Sequence, residues 1–265
     1  MKVELPTQYN VEYPRKNLKY YSSYSKPQIA EKLIKASQGY CMYCGKKVEI
    51  EGDRYYHLEH SVDKDGNGHQ EKDSSGALKH CKFNLAIACS KCNEVCKKIV
   101  DKVDFGKFTL LYKCPSTCDE MCENYIQIRN DYMKRNSIIL QPQGKNTPVP
   151  HLISYNLLKH IYEPNCSGKH EDVLFFVQNH IDRFELNGRR YSPCILKICA
   201  KIVMEYENGI KCFDGIMDVL DEEKNDYDNI LGIKFIYFLK KYFPPKQEKQ
   251  LIDFCKLLVV LDAVP

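Results

Sequence analysis

Four cysteines of this 265-residue chain fall into two pairs of one spacing. They are Cys41-Met42-Tyr43-Cys44 and Cys89-Ser90-Lys91-Cys92, with 44 residues between the pairs. Two residues between thiols let a tight turn aim both sulfurs at one ion, and two such turns complete a tetrahedral four-sulfur zinc site. Buried free thiols or a redox pair are the other readings. Between the pairs lies Tyr56-His57-Leu58-Glu59-His60, and Asn84-Leu85 comes shortly before the second pair. Asn93 follows directly, with Lys97 and Lys98 close behind. An imidazole of pKa near ~6.5 can take a proton from water at neutral pH. A carboxylate and a carboxamide offer the hard oxygens that Mg²⁺ accepts. Alone, Glu59-His60 would read as an ordinary surface pair at a strand end.

Within this frame the sequence resembles the HNH endonucleases over roughly Tyr40 to Lys98. The matching pieces come in order: an acidic residue and His at a strand end, Asn-Leu, then C-x2-C-N and a basic residue, clamped between two CxxC turns. The resemblance implies a ββα-metal finger that hydrolyses phosphodiester bonds in DNA, with two strands, a long loop and a helix around one divalent cation. That reaction needs a positioned water, a base and positive charge on the scissile phosphate. By the same resemblance His60 is the general base, and Glu59 and Asn93 hold a catalytic Mg²⁺ or Mn²⁺. Asn84 is then the residue whose side chain ties down the loop that positions the histidine. Cys41, Cys44, Cys89 and Cys92 hold the structural zinc.

The chain departs from the family pattern in three places. Glu59 stands where Asp is common, Ser61-Val62-Asp63-Lys64 lacks the usual proline, and Asn93 replaces His. The Glu-His form with a C-x-Y-C first turn is similar to the HNH nuclease subunit of Septu and retron-linked anti-phage systems. That likeness implies a defence effector working with an ATPase partner. The alternative is a zinc finger that binds nucleic acid without cutting it, or a protein-interaction module. A pure binding finger needs none of Glu59, His60, Asn84 and Asn93.

Other residues admit two readings each. His57 shares a strand face with Glu59, as a metal ligand or helper or as a plain strand residue. His69 and His80 sit in or beside the long loop and could assist. Lys97 and Lys98 could contact phosphate or form a solvated helix face. Cys114-x3-Cys118-x3-Cys122, with Cys81 and Cys96 nearby, could bind a second metal or be small buried residues. Cys166, Cys194, Cys199, Cys212 and Cys255 fall within or beside apolar segments and read as core.

The elements that must position these groups are partly visible. The first 28 residues mix tyrosines, lysines and prolines without a period, so they read as an extended arm, stacking on bases or strapped over the finger. A short helix is predicted over Gln28–Ser37, strands over Lys47–Ile50 and Tyr55–Leu58, and a helix from Lys91 to about Val103. Gln141 to Pro150 is the candidate linker. Beyond it, helical periodicity recurs at Leu174–Phe184, Ile195–Tyr206, Phe213–Leu220, Ile230–Tyr242 and Leu251–Leu261. The expected class is α+β: an arm and short helix over 1–36, the zinc-stapled nuclease domain over 37–140, and a mainly helical domain over 151–265.

Charge divides with the elements. Residues 1–150 hold 24 Lys and Arg against 18 Asp and Glu, a net +6, while residues 151–265 hold 15 against 17, a net −2. The second half is therefore expected to dock a partner or a second copy rather than DNA, with Asp218, Asp221, Glu222, Glu223, Asp226 and Asp228 repelling phosphate. No apolar run approaches the ~20 residues of a membrane span, and Met1–Glu4 lacks a signal-like start. The expected compartment is the cytoplasm, which also suits paired metal-binding thiols.

Overall fold

The computed structural model describes residues 1–13, 20–50, 52–61, 82–99, 152–165, 171–189, 192–223 and 227–263. In chain order its elements are β1 (Lys2–Leu5), α1 (Lys26–Ser37), β2 (Glu49–Ile50), β3 (Asp53–Arg54), β4 (His57–His60), β5 (Leu85–Ala88), β6 (Ile153–Asn156) and β7 (Ile161–Pro164). Helices α2 (Glu171–Arg183), α3 (Ser192–Glu207), α4 (Phe213–Glu222), α5 (Ile230–Tyr242) and α6 (Glu248–Ala263) complete it. The class is α+β.

One sheet has the order β1-β6-β7, all antiparallel. Val3 and Leu5 point inward and lie opposite Tyr155 and Ile153. The sequence reading places no strand in the first 28 residues and none after 150, and both omissions are corrected here. Each strand is only four residues long, too short for a period to announce it, and β1 gains its ladder from a segment about 150 residues along the chain. Thr7 extends the seam, its hydroxyl oxygen accepting from the Leu152 amide at 3.0 Å.

Helix α1 begins with Pro27 in its first turn, where a missing N–H costs nothing. It buries Ile29, Ala30, Leu33, Ile34 and Ser37 along one stripe. Gln38 and Gly39 end it with φ of 57° and 78°, and the Gly39 amide donates back to the Ile34 carbonyl at 3.0 Å. That reversal delivers Tyr40 directly into the first cysteine turn. Strands β2 and β3 form a tight hairpin around Gly52.

The second predicted strand is displaced. Asp53–Arg54 pairs with β2, whereas His57–His60 pairs with β5, placing His57 opposite Ala88, Glu59 opposite Ala86 and His60 opposite Leu85. Leu85-Ala86-Ile87-Ala88 is buried throughout, and a fully apolar strand gains most from a partner along its whole length.

The helices match the periodic segments. Helix α3 packs on α6 and α5, and α5 reaches β1. Seven residues of α5 are buried, Ile230, Leu231, Gly232, Phe235, Ile236, Phe238 and Leu239, so most of its apolar surface is taken up inside the fold. Gly232 is needed there, since a Cβ would stand 2.7 Å from Cys194 Sγ and 2.9 Å from Tyr227 Cγ. One buried apolar cluster joins the sheet, α1, the cysteine turns and the helices. Among the described residues no helix is long and apolar enough to cross a membrane. The linker over Gln141–Pro150, His69, His80, Cys81, Cys114, Cys118, Cys122 and Cys166 lie outside the described residues.

Candidate metal centre and hydrolytic site

The first cysteine turn is built by backbone. The Cys41 amide donates to the Lys46 carbonyl at 2.7 Å, and the Gly45 amide donates to the Cys41 carbonyl at 2.9 Å. Gly45 sits at φ 72°, and a Cβ there would come within 2.8 Å of Ile230 Cγ2. Both facts require glycine. The second turn follows β5, with the Asn93 amide donating to the Cys89 carbonyl at 3.0 Å. Hairpin and turns are stitched together where the Met42 amide donates to the Ile87 carbonyl at 2.9 Å.

These turns bring Cys41, Cys44, Cys89 and Cys92 together, buried, with their sulfurs all within 4.8 Å of one another. Zn–S bonds of about 2.3 Å set tetrahedral sulfurs about 3.8 Å apart. Cys44 and Cys89 stand at 3.8 Å. The quartet is positioned to hold a metal ion, and its donors and spacing fit zinc. Its electrostatics point the same way. Burial pushes the Cys41 thiol well up, and contact with the neighbouring thiols, Cys41 first, pushes Cys92 up as well. Cys44 and Cys89 are held below the usual thiol range, chiefly by hydrogen bonding from Cys41. Four buried sulfurs cannot all be negative by themselves, and a divalent cation bound there would take the place of the shared protons.

The helical half supports this centre. Asn229, fully buried, donates its side-chain amide to the Cys44 carbonyl at 3.1 Å. The Ile230 amide donates to the Gly45 carbonyl at 2.9 Å, and the Lys47 amide to the Asp228 carbonyl at 2.8 Å. His180, also buried, donates to the Tyr43 carbonyl at 3.0 Å. Burial pulls its pKa down to about 4, so it is neutral at physiological pH. Tyr9 packs into the same region, its hydroxyl pKa pushed up by burial first and then by charge on Cys41 and Cys44. Of the tyrosines in the first 28 residues, Tyr9 and Tyr20 are buried and Tyr24 is exposed.

Glu59 and His60 occupy the end of β4, as the sequence reading expects. Successive strand residues alternate faces, and their side chains meet different partners. The face with His57 and Glu59 looks onto the segment that follows Cys89. His57 Nε2 lies 3.2 Å from Ser90 Oγ and 3.3 Å from Glu94 Oε1. The Glu59 carboxylate is bonded by Lys97 Nζ, which also donates to the His60 carbonyl. Glu59 and Lys97 side chains are only 15% and 12% exposed. Lys97 is therefore no solvated helix residue. The imidazole of His60 packs instead edge-on to Tyr21, centroids 4.4 Å apart, and His60 is 3% exposed. Lys26 Nζ lies 3.9 Å from the centroid of that Tyr21 ring.

Asn84 closes the hairpin. It ends a short 3-10 turn, is fully buried, and its carbonyl accepts from the Ser61 amide at 2.9 Å. Ser61 Oγ lies 3.0 Å from the Tyr43 hydroxyl. Asn84 thus fastens the residue next to His60 through its backbone. Asn93, half-buried, lies one turn before Lys97 on a segment that is π-helical over Lys91–Val95 and 3-10 over Cys96–Ile99, in place of the regular helix predicted there. The 3.6 period carried by Val95 and Ile99 is overridden by the need to return Cys92 to the quartet. Cys96 is buried beside Cys92 and outside the quartet.

Two contacts at the candidate site escape sequence reasoning, Tyr21 on His60 and Lys97 on Glu59. Tyr21 belongs to an aperiodic arm, and Lys97 carries no signal that it turns back onto Glu59. No protein-family model, curated protein or solved structure matches the chain.

Proposed function

We propose that this protein is a metal-dependent endonuclease of the HNH type, hydrolysing phosphodiester bonds in DNA. One observation carries the reading: a hairpin ending in Glu59-His60 leads, through Asn84 and a buried second strand, into a four-cysteine centre whose following turn bears Asn93 and Lys97. A binding finger needs the quartet alone. It has no use for Glu59, His60 and Asn93 in this order beside it.

In this reading zinc at the quartet fixes the turn that carries Asn93 and Lys97 against β4. Glu59 and Asn93 would hold Mg²⁺ or Mn²⁺, which supplies positive charge to the phosphate. The donor set fits such an ion: one carboxylate and one carboxamide, with the carboxylate already satisfied by a cation, the Lys97 ammonium. His60 takes the proton from the attacking water through its imidazole, and the Asn84–Ser61 bond holds the strand end that presents it. Tyr21 packs against that imidazole, so substrate entry requires the arm to yield.

The basic first half suits DNA, and the acidic cluster over Asp218–Asp228 suits a protein partner or a second copy. We read the protein accordingly as a cytoplasmic anti-phage effector with an ATPase partner. A second reading, a non-catalytic nucleic-acid-binding or interaction module, draws on the cover over His60 and the neutralised Glu59. Incubation with supercoiled plasmid and Mg²⁺ or Mn²⁺ separates them. Nicking that falls about 10²–10⁴-fold in His60→Ala supports hydrolysis. Absence of cleavage by the wild type with every metal and partner supplied supports the second reading.

A further inference from the structure

The Lys97 ammonium stands where a divalent cation would meet Glu59. It bonds the Glu59 carboxylate and the His60 carbonyl at once, and both side chains are largely shielded from water. Shielding matters, because an exposed ion pair is worth little and a shielded one is less screened by solvent. The lysine comes from the segment that closes the quartet, four residues beyond Asn93. The same short stretch thus supplies both a metal-ligand candidate and an ammonium occupying the facing ligand. An ammonium and a divalent ion at one carboxylate oxygen repel each other, so the two occupy it in turn.

We propose that Lys97 is a resident counter-cation that holds Glu59 until a divalent ion displaces it. Metal loading is then an exchange of cations at Glu59. The released ammonium, on a flexible four-carbon stem, is free to meet a phosphate oxygen. The site rests as a neutral, internally paired unit and becomes net positive only when loaded. Lys97 is in this respect a positioning residue acting through Glu59. The inference rests on the hydrolytic reading above, and its test separates the two.

Full-length zinc-loaded protein is titrated with Mn²⁺, and free Mn²⁺ is followed by electron paramagnetic resonance. Lys97→Met, with Lys97→Gln as a second variant should the first fail to retain zinc, is expected to bind Mn²⁺ roughly tenfold more tightly than wild type. Glu59→Gln should lose that binding. In parallel, Lys97 in the wild type should resist reductive methylation without Mn²⁺ and become reactive at saturation, read by peptide mass spectrometry. If both lysine variants bind Mn²⁺ no more tightly than wild type while Glu59→Gln loses it, the exchange is wrong and the metal reading stands. If Glu59→Gln binds like wild type, or neither wild type nor the lysine variants bind at all, Glu59 is no metal ligand and both readings fall.

Discussion

Asn229 caps helix α5 with one side-chain atom and holds the first cysteine turn with the other. Its oxygen accepts from the Leu231 amide at 2.9 Å, and its nitrogen donates to the Cys44 carbonyl at 3.1 Å. Asn229→Ala should cost roughly 2–4 kcal/mol, about 1 for the lost cap and about 1–3 for the buried carbonyl left unpaired. Asn229→Asp keeps the cap oxygen but turns a carboxylate oxygen toward the Cys44 carbonyl, so it should cost at least as much as the lost hydrogen bond alone. Urea unfolding measures both. Zinc loss to a chelator should quicken in both variants, whereas unchanged release would mean that the turn stands without Asn229.

Gly45→Ala tests the same joint from the other side. A left-handed non-glycine residue costs about 1–2 kcal/mol, and the added methyl meets Ile230 Cγ2 at 2.8 Å and Asn229 Oδ1 at 3.0 Å. The variant should lose roughly 2–4 kcal/mol. A melting temperature within a degree of wild type would refute the close approach.

Removing the metal should unfold more than the finger. Structural zinc contributes about 10–16 kcal/mol in small domains, which matches or exceeds the whole stability of a typical domain, about 5–15 kcal/mol. Because the quartet and the helices share one buried cluster, Cys92→Ser or a strong chelator should abolish the cooperative melt of the helices too. Stripped protein that keeps its helical circular dichroism and its sharp transition would show that the two halves are independent.

The buried His180 predicts an acid sensitivity with a definite sign. Its folded pKa of about 4 lies below the unfolded value. From pH 6.5 downward the unfolded chain binds a proton that the native state refuses. Its contribution is complete above pH 6.5 and is lost as pH falls to about 4, for a total of roughly 3 kcal/mol. The slope of stability against pH over that window should be shallower in His180→Gln than in wild type. Equal slopes would place the titration elsewhere.

Much of the site was legible because its signals are local. Two cysteines three positions apart close one turn, and apolar residues recurring every three or four positions mark α2 to α6, so both could be read without knowing what lies opposite. What escaped reading depends on distant partners. Lys2-Val3-Glu4-Leu5 becomes a strand only beside Ile153–Asn156, and Asn229 resembles any polar residue before a helix until Cys44 is placed against it. Lys97 was visible as a basic residue near the second pair. Its attachment to Glu59 depends on β4 pairing with β5, and the apolar run Leu85–Ala88 draws that strand two residues later than its own composition suggests.

The bond between Asn229 and Cys44 also sets an order of events during synthesis. The two residues are 185 positions apart, and ribosomes add about 5–20 residues per second. For roughly 10–40 seconds the first cysteine turn exists on the nascent chain without its helix cap and without the amides of Lys47 and Ile230 engaged. Contacts of such long sequence separation form late and slowly. A cysteine turn built this way gains its Asn229 support only once the chain is nearly complete, and a product terminated before Asn229 never gains it.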